Sequence, residues 1–241
     1  MRGSDTRADG GGMSTAYQLY IANKNYSSWS LRPWVLMREL GIAFTERLIL
    51  FGHADWEGFR KISPSGSVPC LIDAETVVWD SLAIVEYLAE RHAGVWPQES
   101  AARPWARSAA AEMHSGFTEL RNRCAMSCGL RARLKDVPAA LKRDIARIDA
   151  LWSDGLSRFG GPFLAGKAFT AVDAFYAPVC FRIQTYGLAL GSAPAAYAAR
   201  VLDLESMKQW YADALAEKFR DVPHEAEILE RADALEDLRE K

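Results

Sequence analysis

Apolar and polar positions fall into two regimes along the chain, and the change comes near residue 94. Before it, short apolar runs alternate with helical stretches. Tyr17–Ala22 is an apolar run of strand length. Residues 31–40 follow a helical repeat, with Pro33 in the first turn and Gly41 just past the end. Residues 42–50 alternate partially and predict a second strand. Residues 55–62 predict a short irregular helix carrying Trp56 and Phe59, followed by a turn at 63–66. Residues 67–73 and Thr76–Trp79 predict two strands too close for anything but a hairpin. Asp80 and Ser81 then open a helix over 82–92 with Leu82, Val85, Leu88 and Ala89 on one face. The order β-α-β-α-β-β-α predicts an α/β layer with a partly parallel sheet.

After residue 94 the pattern is helical almost throughout. Gly94, Pro97 and Pro104 mark residues 94–104 as a linker. Helices are expected over 106–123, 138–159, 170–186, 195–202 and 204–219, with a break at Gly160, Gly161 and Pro162. The tail has an acidic excess and a narrow stripe at Ile228, Ala232, Leu235 and Leu238, which predicts a solvated helix along one edge. Residues 1–15 are polar and glycine-rich and read as a disordered leader. The expected division is 16–93 as an α/β domain, 94–104 as linker, 105–222 as a helical domain and 223–241 as an acidic tail.

Composition narrows the function classes. With 241 residues and 49% hydrophobic content the chain can bury a substantial core. A net charge of −2 gives no electrostatic reason to expect nucleic acid or an anionic membrane as partner. No apolar run approaches the ~20 residues of a membrane span, and the reading is a cytosolic protein. Cys124 and Cys128 lie one helical turn apart, but no histidine or second cysteine pair stands at metal-site spacing near them. They, Cys70 and Cys180 are expected as small apolar core residues, and no metal is expected.

Candidate chemistry concentrates in three places. The loop Asn25-Tyr26-Ser27-Ser28-Trp29-Ser30 feeds a helix start, where unpaired N–H groups and the helix dipole favour an anion. A serine hydroxyl there can donate to a bound thiolate. Val68-Pro69 at a strand start is a candidate cis bond that would present the Val68 N–H and C=O to an extended ligand chain. Asp80-Ser81 at a helix start can receive a carboxylate on Ser81 and neutralise an ammonium with Asp80. A fourth motif, Thr170-Ala171-Val172-Asp173, is a capping box and structural.

In this order and spacing, the serine loop, Gly66-Ser67-Val68-Pro69-Cys70-Leu71, Trp79-Asp80-Ser81-Leu82 and Phe163-Leu164-Ala165-Gly166 running into residues 170–173 resemble the glutathione S-transferase family over about residues 17–219. The resemblance implies the cytosolic glutathione transferase architecture, α/β plus all-α: a thioredoxin-like N-terminal domain followed by an all-helical C-terminal domain. It also implies glutathione as co-substrate, a small electrophilic second substrate, a detoxification role and a homodimer. Carried onto this chain, Val68 and Pro69 align the glutathione backbone, and Asp80 and Ser81 hold its γ-glutamyl end. Ser27 becomes the catalytic hydroxyl of a zeta-like loop, Ser28 a neighbouring glutathione contact, and Ser28, Ser30 and Tyr26 the other hydroxyls that could act. His53 could reach the glycine end, as in theta-type relatives. The second-substrate pocket is expected near Met113, Phe117 and Arg121, though Met113 and Phe117 equally suit the core between helices, and His114 reads as a surface or interface histidine. Trp29 stands where the zeta-type loop carries cysteine, which turns the expectation away from maleylacetoacetate isomerisation. Ser67 replaces the lysine or glutamine common before Val-Pro, which implies a weaker hold on the glycine carboxylate. The expected function is glutathione conjugation. A non-catalytic binding protein on the same fold, and a glutathione-dependent isomerase or peroxidase, are the alternatives.

Overall fold

The computed structural model describes residues 17–240, so the expected leader at 1–15 lies outside the described residues. The first half folds as β1 (Tyr17–Ala22), α1 (Ser28–Glu39), β2 (Phe44–Ile49), α2 (Asp55–Phe59), β3 (Cys70–Asp73), β4 (Thr76–Trp79) and α3 (Ser81–Ala89). The strands lie in the order β2-β1-β3-β4, with β1 parallel to β2 and antiparallel to β3. This is the α/β layer with a partly parallel sheet expected from the element order, in the thioredoxin-like arrangement that the resemblance implies. Leu19, Ile21 and Leu71 point into one buried face against Leu31, Val35, Ile84, Val85 and Leu88 of α1 and α3.

The second half contains α4 (Ala102–Ser115), α5 (Thr118–Arg123), β5 (Leu130–Leu134), α6 (Ala139–Phe159), α7 (Ala171–Tyr186), α8 (Ser192–Leu202), α9 (Glu205–Ala216), α10 (Val222–Arg231) and β6 (Ala232–Asp237). Its centre is α7, buried on nearly every side and packed against α1, α4 and α8. A helix apolar all round belongs in the middle of a bundle.

Four local expectations need correction. Helix α1 begins at Ser28, a turn earlier than residue 31, so Pro33 stands inside the helix. The expected single helix over 106–123 breaks after Ser115: Gly116 is extended and Phe117 adopts φ +54°. That turn drives the Phe117 ring inward, 6.4 Å from the ring of Tyr176. The last three residues of the expected linker, from Ala102, already belong to α4, and Val95 and Trp96 are buried. The tail is not one helix. It is α10 followed by β6, which pairs antiparallel with β5 across a bulge at Arg131 and Ala132. The stripe at Ile228 and Ala232 is buried, but Leu235 and Leu238 are exposed, as strand geometry on an edge allows.

The two halves meet at the loop after β1. Lys24 is buried, with its Nζ 2.9 Å from Glu46 and 2.6 Å from Asp213, and lies over the rings of Trp34 and Trp210. Glu217 accepts from the Lys24 and Asn25 N–H groups, and Trp210 Nε1 donates to the Lys24 carbonyl at 2.8 Å. The helical half thereby satisfies the polar backbone of the loop that carries the serines, as a buried loop requires.

Gly155 explains one close approach in the bundle. A Cβ there would meet the Trp105 ring at 2.4 Å and the Leu164 carbonyl oxygen at 2.5 Å. Gly155→Ala is expected to destabilise by about 1–3 kcal/mol, the cost of overpacking a filled core, read as a lower Tm. Among the described residues no helix is long and apolar enough to cross a membrane, and no group of three or more histidine, cysteine or acidic side chains could hold a metal.

Candidate functional site

A cavity of about 870 Å³ opens where the two halves face each other, and its wall includes Ser27, Ser28, Val68, Pro69, Asp80 and Ser81. Residues expected from three separate motifs therefore share one concave surface, the usual setting of a small-molecule site.

Ser27 is the N-cap residue of α1 and Ser28 its first helical residue. The Ser27 N–H donates to the Asn23 carbonyl at 2.9 Å, which closes the turn before the helix. The Ser27 hydroxyl makes no capping bond. It donates to Ser30 Oγ at 2.7 Å, and Ser30 Oγ also accepts from the Ala22 N–H at 3.2 Å. Ser30 is fully buried and does not reach the cavity wall. Trp29 does reach it, and its ring lies 5.4 Å from that of His114.

The Val68–Pro69 bond is cis. The backbone N–H and C=O of Val68 have no backbone partner among the described residues, since pairing of β3 with β1 begins at Cys70. Asp80 sits at φ +75°, a region that costs a non-glycine residue strain. Its Oδ1 accepts from the Leu82 and Ala83 N–H groups at 2.8 and 3.3 Å, while Oδ2 faces His114 Nε2 at 3.5 Å. Ser81 is fully buried beside it and accepts from Arg32 Nη1 at 3.3 Å. One turn thus sets a carboxylate and a hydroxyl side by side at the N-terminus of α3 along the cavity wall, the pair needed for an ammonium next to a carboxylate. His114 is half-buried between Trp29 and Phe175 rather than at the surface. Burial holds its pKa below the ordinary value, and Arg32 and Arg121 oppose its charge further, while Asp80 favours it.

The expected second-substrate residues separate. Arg121 lines the cavity, whereas Met113 and Phe117 are core and stand away from its wall, because the break at Gly116 turns Phe117 inward. His53 is exposed on the loop before α2, 3.0 Å from Asp55, and does not line the cavity. All four cysteines are free and buried; burial raises each thiol, Cys124 to about 12. None is a nucleophile at neutral pH.

The sequence reading missed the far wall. His224 and Glu227 of α10 line the cavity, and the His224 ring lies 5.4 Å from Tyr26 and 5.3 Å from Phe51. The Tyr26 hydroxyl donates to Glu225 and accepts from Arg239 Nη1 at 3.0 Å. Burial, then the hydrogen bond to Glu225, push Tyr26 up to about 12, which removes it as a source of phenolate. Arg182 of α7 was also missed. A charged residue amid the apolar positions past the first turn of α7 is its only signal.

Models described as Glutathione S-transferase, N-terminal domain and Glutathione S-transferase, C-terminal domain match residues 26–91 and 103–237. The chain is 25% identical over 181 residues to a Stringent starvation protein A homolog of Pasteurella multocida (strain Pm70), covering 73% of this chain and 81% of that protein. It is 24% identical over 185 residues to Glutathione S-transferase 1 of Dianthus caryophyllus, covering 73% and 82%. Among solved structures, the theta class glutathione S-transferase of Xanthomonas axonopodis pv. citri, with glutathione bound, superposes with a TM-score of 0.60 at 22% identity, covering 81% of this chain and 97% of that one.

Proposed function

Because the chain belongs to the glutathione S-transferase family, we propose that it binds glutathione in this cavity and activates the thiol with the Ser27 hydroxyl for attack on a small electrophile. The observation that carries the reading is the gathering of Ser27, Val68, Asp80 and Ser81 on one wall. The unpaired Val68 backbone groups suit an extended peptide, and Asp80 with Ser81 suits the γ-glutamyl end. The thiol then falls toward the start of α1. Relatives and neighbours named as glutathione transferases support the same reading. A homodimer, the family's usual state, is part of it.

An ordinary thiol has a pKa of about 8.5, so a few per cent is thiolate at neutral pH. Lowering it by about 2 units is worth about 2.7 kcal/mol. A charge-assisted hydrogen bond plus a helix N-terminus supplies an effect of that size. Ser27 need not ionise. Its hydroxyl turns from Ser30 to the sulfur, and the Ala22 N–H stays on Ser30. The thiolate forms the new C–S bond, the leaving group departs with its electron pair, and the thiol proton goes to solvent.

The hydrogen bond that occupies the Ser27 hydroxyl, its donation to Ser30, favours a second reading, a binding protein without turnover. Glutathione calorimetry with parallel thiolate absorbance separates the two. Ser27→Ala is expected to bind glutathione within about threefold of the wild type, to lose the thiolate signal at neutral pH and to lose ~10²-fold in kcat, the factor that about 2.7 kcal/mol represents. Ser28→Ala is expected to keep the signal. Wild-type protein that binds glutathione without forming thiolate would establish the second reading.

A further inference from the structure

The helical half lines the cavity with Arg121 of α5 and Arg182 of α7. Arg182 is 4% exposed. Its Nε donates to the Cys124 carbonyl at 2.8 Å, and its two Nη atoms have no protein partner among the described residues. They are not sealed in the core and end at the cavity wall. Arg121 donates only to backbone carbonyls, those of His114 at 3.1 Å and Ser115 at 3.4 Å. The Trp29 ring lies 5.4 Å from the Arg121 Cζ and 4.1 Å from the Arg32 Cζ. Arg32, 1% exposed, rests on Phe175 at 4.9 Å, and its Nε is buried without a partner. Phe175 and Arg182 are seven residues apart on α7, about two turns, and share a face. Two guanidiniums, those of Arg121 and Arg182, therefore line the cavity, a third, that of Arg32, is buried against Trp29 of the same wall, and none is in an ion pair among the described residues.

A buried cation without a counter-ion is costly, and a like charge beside it adds to the cost. Burial first, then Arg182 and Arg121, push Arg32 down to about 9, and burial pushes Arg182 down to about 10. The acids nearest these guanidiniums are Asp80, whose oxygens are engaged with the α3 N-terminus and His114, and Asp144, which accepts from the Leu120 N–H. Glu227 stands on the α10 wall. A desolvated, like-charged cluster open to a cavity has the form of a site completed by an anion. A guanidinium with its outer edge free is shaped for a carboxylate, which it can hold through two parallel hydrogen bonds.

We propose that the second substrate of this site carries a carboxylate, seated on the free edge of Arg182 with Arg121 beside it. The inference rests on the transferase reading and names its substrate class. The reacting step is unchanged: sulfur bonds to the electrophilic carbon while the leaving group takes its electron pair. The carboxylate is spectator charge that orients the carbon toward the thiolate.

Calorimetry with unreactive thioethers tests this without turnover. The probes are S-benzylglutathione, S-(3-carboxybenzyl)glutathione and S-(4-carboxybenzyl)glutathione, with glutathione itself as reference. At low salt one carboxybenzyl form is expected to bind about tenfold tighter than the benzyl form. Arg182→Met is expected to abolish that advantage and Arg121→Gln to reduce it, while affinity for glutathione itself changes less than about threefold. Arg182→Met is also expected to raise the Tm of the ligand-free protein by a few degrees, since a buried unpaired charge is replaced by an apolar chain of similar size. Equal binding of the benzyl and carboxybenzyl forms overturns the proposal and leaves the transferase reading standing. A parallel loss of glutathione affinity in Arg182→Met also overturns it, because the arginines would then serve glutathione's own carboxylates. Failure of glutathione itself to bind the wild type overturns the underlying reading and the proposal with it.

Discussion

Asp173→Ala is expected to destabilise the protein by about 4 kcal/mol and to lower Tm by roughly 10 °C for a chain of this size. Asp173 is fully buried at the start of α7. Its Oδ1 accepts from the Leu164 N–H at 2.9 Å and the Tyr197 hydroxyl at 3.0 Å; its Oδ2 accepts from the Thr170 N–H at 2.9 Å and Thr170 Oγ1 at 3.3 Å. Alanine strands these donors in the core, where each unpaired group costs about 1–3 kcal/mol before the structure relaxes. Asparagine restores one acceptor but turns an amide NH₂ toward the other donors, so Asp173→Asn should recover less than half of the loss. Tyr197 also packs its ring 4.8 Å from Trp152, so the damage spreads from the cap into the centre of the bundle. Denaturant midpoints and the Trp fluorescence transition measure it.

The pH dependence of that loss has a definite sign. Burial pushes the Asp173 carboxyl up to about 6 from an ordinary 3.8, against four hydrogen bonds that favour the charged form. The folded state then binds more protons than the unfolded state between those values, so this residue's contribution declines as pH rises from about 4 to about 6 and is constant above. The gap between wild type and Asp173→Ala should therefore be wider at pH 4 than at pH 7. A gap that widens toward neutral pH would show that the four donors outweigh burial.

What could be read from the sequence was local. The serine loop, Val68-Pro69, Asp80-Ser81 and the box at Thr170–Asp173 each depend on neighbours within a few residues, and a turn or cap declares itself by its own side chains. The strand and helix order of the first half followed for the same reason, since each element buries one face at its own period. The remainder depends on contacts far apart in the chain. Leu130–Leu134 alternates Leu, Arg, Ala, Arg, Leu, a strand pattern overlooked within a helical region because its partner lies about a hundred residues away. Met113 and Phe117 share a face only if the helix continues through Gly116, and it does not. Nothing within a few residues of Arg182 marks it; only its place on the cavity wall with Arg121, remote in sequence, gives it meaning.

Glu225→Ala is expected to release the last segment of the chain as a local unit. The Glu225 carboxylate accepts from the Tyr26 hydroxyl and from both Nη atoms of Arg239, whose side chain is 3% exposed and also pairs with Asp237 at 2.7 Å. Without Glu225, Arg239 keeps its bidentate pair with Asp237, but the Tyr26 hydroxyl loses its acceptor and two guanidinium hydrogen bonds are lost, a cost of about 2–3 kcal/mol. These groups belong to a segment joined to the bundle mainly by β5–β6 pairing and the Tyr26 contacts, so opening the segment relieves the penalty without unfolding α7. Hydrogen exchange in α10 and β6 should accelerate by roughly 30- to 150-fold, the factor that about 2–3 kcal/mol represents, while exchange in α7 stays unchanged. Glu225→Leu combined with Arg239→Met should restore most of the protection, because an apolar pair can replace an ionic one at little cost. Acid should reproduce the single variant. Burial raises the Glu225 carboxyl, but the Arg239 and Tyr26 hydrogen bonds outweigh it and hold the group below its ordinary 4.5; its stabilisation is present above that value and is lost as pH falls through the lowered one. Since His224 and Glu227 of the same segment line the cavity, a bound ligand that touches them must slow the opening by the factor with which the opening weakens that ligand. If glutathione leaves the exchange of α10 in Glu225→Ala untouched, the tail walls the cavity without contributing to its affinity.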